Sequence, residues 1–156
     1  MLKRSLSLAA ASIALTAAFA SPTLAAPGDF VGTWVNKDAN TRGITRLVIT
    51  SAGRNTLNIR VFGQCHPTDC NWGTTQLATY GVNVQDTNHG YGSANYNKGF
   101  ANTFLGLGYA GKQIMLQSYT QFLDNSGRQN YYSREYFHKI PVVKVPIKHL
   151  PLSPNR

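Results

Sequence analysis

From residue 113 to residue 123 the chain alternates without a break. Ile114, Leu116, Ser118, Thr120 and Phe122 fall on one side, and Met115, Gln117, Tyr119, Gln121 and Leu123 on the other. A period of two is the signature of a strand with two unlike faces, and a helix would instead group positions three and four apart. The pattern recurs upstream, where Leu57, Ile59 and Val61 oppose Asn58, Arg60 and Phe62, and where Leu47 and Ile49 oppose Arg46 and Val48. Strands are expected over residues 30–36, 44–50, 56–62, 72–80, 100–109, 113–123 and 128–140. Polar, glycine-bearing turns separate them, and Asp124-Asn125-Ser126-Gly127 is the strongest hairpin signal. Residues 81–99 read less sharply: Val82 and Val84 extend a strand on pattern alone, and residues 94–98 fit a loop or a short strand. Gly106 and Gly108 interrupt their run and suggest a bulge or a close approach. No helical period follows residue 26. Strands at a spacing of about 10 to 14 residues, joined by short turns, predict an all-β antiparallel up-and-down β-barrel of about seven or eight strands, with a sandwich as the alternative. Eight strands is about the size whose interior holds one small ligand.

The chain opens with Met1-Leu2-Lys3-Arg4, an uncharged apolar run from residue 6 to 20, and small residues at Ala18-Phe19-Ala20 and Thr23-Leu24-Ala25. These are the parts of a cleavable export signal over residues 1–26. The apolar run is shorter than the roughly 20 residues that cross a bilayer, and no later run is long enough to span. The expected domain organisation is therefore a signal peptide, one barrel domain over residues 27–140, and a basic extended tail over residues 141–156. Pro141, Pro146, Pro151 and Pro154 punctuate that tail, and proline lacks the amide hydrogen of a central strand. The expected location is the periplasm or the extracellular space. Without residues 1–26, thirteen basic residues face six acids, a net charge of +7.

Residues 60–73 carry the densest chemistry: both cysteines, His66-Pro67, Asp69 and Trp72. Export into an oxidising compartment makes a Cys65–Cys70 disulfide the expected state. A metal site using Cys65, His66, Cys70 and His89 lacks the second ligand pair that zinc sites use, so neither metal nor cofactor is expected. His66 with Asp69 is the one acid–base pair at hand, and no Gly-x-Ser-x-Gly elbow accompanies it. The acids Asp29, Asp38, Asp69, Asp86, Asp124 and Glu135 are scattered, unlike the paired carboxylates of a glycosidase. Arg42, Arg46, Arg60 and Arg134 form the main cationic set. If the second and third strands pair, Arg46 and Arg60 share a face with Val48 and Phe62. A large Tyr and Phe set fits either strand packing or an aromatic pocket for a ring-bearing or glycan ligand.

The run Phe30-Val31-Gly32-Thr33-Trp34-Val35-Asn36 resembles the opening strand of avidin and streptavidin and the Gly-x-Trp start of lipocalins, the calycin barrels. The resemblance implies that Trp34 closes one end of a barrel and that a basic residue of the last strand, Arg134 or Lys139, packs over it. The biotin-site pattern is not evident, and biotin binding is not carried over. Gly32-Thr33-Trp34-x-Asn36, Thr41-Arg42-Gly43-Ile44 and Cys65-His66-Pro67-x-Asp69-Cys70-x-Trp72-Gly73 together are also similar to a small domain of exported bacterial proteins, which implies a domain and not an activity.

The expected function is a non-catalytic binding module for a small ligand or an envelope partner. Its candidate site residues are Trp34, Arg46, Arg60, His66, Asp69 and Trp72. Two alternatives stand beside it: docking of a cationic surface on an anionic envelope polymer, and an enzyme using His66 and Asp69.

Overall fold

A computed structural model describes residues 26–53 and 56–141. The expected export signal and basic tail, apart from their inner ends, lie outside the described residues. Eight antiparallel strands follow one another around a closed barrel: β1 (Gly32–Asn36), β2 (Ile44–Ser51), β3 (Leu57–Gly63), β4 (Cys70–Tyr80), β5 (Tyr91–Asn97), β6 (Ala101–Ala110), β7 (Gln113–Phe122) and β8 (Tyr131–Lys139). β8 closes on β1 through Trp34 opposite Lys139 and Asn36 opposite Phe137. The up-and-down barrel expected from the alternation is the fold, and the sandwich is excluded. Among the described residues no helix is long and apolar enough to cross a membrane.

The alternating runs turn their apolar sides inward. Leu47, Ile49, Leu57, Ile59 and Val61 are buried, as are Ile114, Leu116, Ser118 and Thr120 of β7. β5 is the strand the pattern left open. Its inward residues are Gly92, Ala94 and Tyr96, so small side chains hide the period of two. Val82 and Val84 do not extend a strand; they are 72% and 95% exposed. Asp86 instead folds the segment into a turn, accepting hydrogen bonds from the amides of Val82 and Asn88 (both 2.9 Å). The last strand begins at Tyr131 and not at residue 128. Asn130 accepts the Phe122 amide (2.9 Å) and Arg128 pairs with Asp124, which widens the expected tight hairpin into a longer loop. Of the bulge or close approach expected at Gly106 and Gly108, neither is found: the register is unbroken on both sides, and a Cβ at either glycine would make only ordinary contact.

The first strand starts later than expected, because Pro27–Phe30 is a single 3-10 turn. Asp29 accepts the Ala26 amide (2.7 Å) at its start, and the Trp34 indole N–H donates to the Phe30 carbonyl (2.8 Å). Phe30 and Trp34 are fully buried and meet Tyr109, which stands edge-on to Trp34 at 6.0 Å. The Lys139 ammonium lies 5.2 Å from the Trp34 ring and donates to the Asp29 carbonyl (3.0 Å). Of the two basic residues considered for this contact, Lys139 makes it. Arg134 lies exposed on the outer wall, bonded to the Tyr132 hydroxyl. This end of the barrel is plugged with side chains.

Cys65 and Cys70 are joined in a disulfide across the β3–β4 loop. A ring this small is worth about 2 kcal/mol on the chain-entropy scale. We expect Cys65→Ser/Cys70→Ser to lower the unfolding free energy by that amount with the strands intact, read as a lower urea midpoint at unchanged slope. Full unfolding in native buffer would show that the loop is a folding requirement and not a brace.

Candidate functional site

The loops β1–β2, β3–β4, β5–β6 and β7–β8 all gather at the end opposite Trp34, and there the barrel is open. A cavity of about 640 Å³ enters it, within the range that small-molecule sites occupy. Its inner wall carries hydroxyls. Thr103 and Thr120 bond each other across β6 and β7 (3.1 Å), and Ser118 bonds Ser133 across β7 and β8 (2.8 Å). Below them Leu105, Leu107 and Leu116 form the dry core. The inward positions of β7 thus change from apolar at the closed end to hydroxyl-bearing toward the mouth.

Trp72 forms one side wall, and a bulge puts it there. Arg60 pairs with Thr74 and Phe62 with Asn71, so Trp72 and Gly73 together oppose Val61. Gly73 has φ +87°, a conformation glycine adopts without strain. Gly63 makes room on the neighbouring strand, since a Cβ there would lie 2.8 Å from the Trp72 indole nitrogen. Tyr96 props the arrangement from inside. Its ring stands edge-on to Trp72 at 5.8 Å, and its hydroxyl donates to the Ile59 carbonyl (2.8 Å) with the Gly73 carbonyl close by (3.2 Å). Burial pushes the Tyr96 phenol up to about 12, so it stays a neutral donor.

Lys98, at the β5–β6 turn, reaches over this wall. Its ammonium sits 3.4 Å from the centre of the Trp72 ring, a cation–π contact. Burial pulls its pKa down to about 8. Among the described residues the ion pair present is Arg128–Asp124, so Lys98 has no carboxylate partner there. Arg128 lies flat on Phe122, 4.0 Å from its ring, and also lines the cavity. Glu135 is the acid of the lining, and neutral donors already occupy it: the Thr41 hydroxyl (2.7 Å), the Asn36 side-chain amide (3.1 Å) and the Ile44 backbone amide (3.2 Å). Gly43 permits this approach, because a Cβ there would meet the Glu135 carboxylate at 2.6 Å. The mouth therefore combines an aromatic wall, a hydroxyl floor and a half-buried cation, Lys98, with Arg42 and Arg128 exposed in the same lining.

The six residues expected at the site fall in different places. Trp72 lines the cavity. Trp34 is at the plugged end, sealed from it. Arg46 and Arg60 share a face as expected, and that face is the outer wall. Arg46 stacks on Phe62 at 4.0 Å, with its Nε buried and unpartnered, and Arg60 Nε donates to the Thr74 hydroxyl (3.1 Å). His66 and Asp69 stand on the exposed cysteine loop and do not bond each other. His66 faces Gln64 (3.2 Å), and Asp69 accepts from Thr45 (2.7 Å), the extra residue of the β2 bulge. The metal alternative is not assembled either, since both cysteines are oxidised and His89 bonds Thr79 (2.8 Å) near the β4–β5 connection. Lys98, Glu135 and the Ser/Thr floor were missed as candidates. The sequence signal available for the floor was the switch from Ile114 and Leu116 to Ser118 and Thr120 along one face. No known protein family, curated protein or solved structure matches this chain.

Proposed function

We propose that this chain is an exported, calycin-type binding module that takes a small organic anion with a ring into the open mouth, without transforming it. One observation carries the reading: Lys98 lies on Trp72 at the cavity, desolvated and without an acidic partner among the described residues. A partly desolvated cation with no carboxylate partner among the described residues carries an uncompensated charge and favours an incoming anion. The indole face offers a stacking surface for a ring, and the Ser/Thr floor offers donors and acceptors for hydroxyl or carbonyl groups of the same ligand. Glu135, satisfied by neighbours, adds a negative edge that disfavours ligands with a second anionic group on its side.

A thermal-shift screen tests this with matched pairs, aromatic carboxylates and phosphomonoesters against their neutral amides and alcohols. The acids are expected to raise the melting temperature and the neutral partners to leave it unchanged. A site filled at a hundredfold excess over Kd adds about 2.7 kcal/mol of stability. Stabilisation by the neutral members alone would overturn the anion assignment. A uniformly blank screen, together with native mass spectra of host-purified protein showing no adduct, would overturn ligand binding at the mouth.

A further inference from the structure

The outer wall of β5 to β8 carries a second cleft, of about 560 Å³, whose chemistry differs from that of the mouth. The register lays it out in rows across four strands. Asn95 lies opposite Phe104, Phe104 opposite Tyr119, and Tyr119 opposite Tyr132. One step toward the mouth, Asn97 lies opposite Asn102 and Asn102 opposite Gln121, with Asn130 beyond, holding the Phe122 amide. An aromatic row thus runs beside an amide row.

The aromatic row is presented to solvent. Phe104, Tyr119 and Tyr132 are 43%, 49% and 47% exposed, and their rings pack in sequence at 6.3 and 5.1 Å between centres. Gln117 and Arg134 both donate to the Tyr132 hydroxyl (3.3 and 2.9 Å), which fixes the end ring. Gly106 follows Phe104 on the same face, and a Cβ there would only just touch the Phe104 ring, at 3.9 Å. The missing side chain leaves the flank of the aromatic row low and open. Exposed aromatic rows of this kind mark binding surfaces.

The lining itself is uncharged, on a chain that without its first 26 residues carries +7, and Arg134 at its edge is bonded to the Tyr132 hydroxyl, so an anionic polymer finds no row of counter-charges along it. It also holds no aliphatic side chain, unlike the apolar core of a homodimer interface. Amides that donate and accept, set beside exposed ring faces, match a pyranose chain, which offers hydroxyls at its rim and C–H groups on its ring faces. We propose that this wall binds a neutral polysaccharide, its sugar rings stacked along Phe104, Tyr119 and Tyr132 and its hydroxyls bonded by Asn95, Asn102 and Gln121. Such a site would hold the barrel on a glycan matrix while the mouth stays free.

The test is retention of the full chain on insoluble cellulose, chitin, xylan and mannan, in about 1 M NaCl, where the screening length is about 3 Å and cationic adsorption is suppressed. Retention on at least one of the four is expected. Tyr119→Ala/Tyr132→Ala should weaken it at least about tenfold, the scale of truncating two central anchors. Gln121→Glu, which keeps every ring, should weaken it too, and Lys98→Met should leave it unchanged. No retention on any of the four overturns the proposal, as does equal retention by the double variant. A dimer in sedimentation that the double variant dissociates would assign the wall to a second copy instead, and would also overturn it.

Discussion

Replacing Trp34 by alanine is expected to cost about 3–5 kcal/mol, the range for emptying a large aromatic site in a packed core. Total stability for a domain of this size is about 5–15 kcal/mol, so this single change removes a large fraction of it. Trp34 is fully buried and serves three partners at once. Its indole N–H holds the Phe30 carbonyl, its ring meets Tyr109 in a T-shaped pair, and its face underlies the Lys139 ammonium. Losing the ring frees the 3-10 turn at Pro27–Phe30 and unplugs the lower end of the barrel. Urea unfolding should show the midpoint falling at unchanged slope. Lys139→Met should cost a fraction of that, about 0.5–2 kcal/mol, while Arg134→Met on the outer wall should leave the midpoint in place. A loss below about 1.5 kcal/mol for Trp34→Ala would mean that the lower plug collapses around the gap and that the turn holds without it.

The barrel was legible because two of its strands, β3 and β7, obey a strict period of two. Ile114 to Phe122 and Leu57 to Val61 state their faces residue by residue, and the buried set follows them. β5 was not legible for a steric reason. Gly92 faces inward where a Cβ would press on Leu77 at 3.2 Å, so the barrel wall demands a residue that carries no hydrophobic signal. The site was legible in one wall only. Trp72 belongs to a local motif whose glycines, Gly63 and Gly73, shape the bulge around it. Lys98 comes from the turn after β5, 26 residues downstream, and meets Trp72 because β5 runs antiparallel beside β4, the one strand whose period of two the sequence hides. Arg46 and Arg60 read correctly as neighbours on one face, but a residue beside buried Leu47 and Ile59 must point away from the interior. His66 and Asp69 drew notice by residue type, and their actual partners, Gln64 and Thr45, depend on the loop's fold.

Lys98→Met is expected to weaken binding of an organic anion at the mouth by about 1–3 kcal/mol, the scale of a hydrogen bond to a charged group at a partly solvated site. Methionine keeps an unbranched apolar stem against Trp72 and removes only the charge, so packing and anion recognition separate in this variant. The pH dependence sharpens the test. Burial holds the Lys98 pKa at about 8, below its ordinary 10.5. Between those values the unfolded chain carries a proton that the folded chain has released, so this group makes the empty barrel more stable as pH rises through that window. Its amplitude is reduced by the solvent that still reaches the side chain. Anion affinity runs the other way: it is full below pH 8 and falls as the ammonium is neutralised above it. A bound anion should also pull the Lys98 pKa back up, a shift readable by NMR titration of the side chain. Wild type should therefore show stability and affinity with opposite slopes above pH 8, and Lys98→Met should lose both slopes together. Anion affinity that stays constant from pH 7 to about 10, or that survives in Lys98→Met, would remove the lysine from the site and leave Arg42 and Arg128 as the cations of the lining.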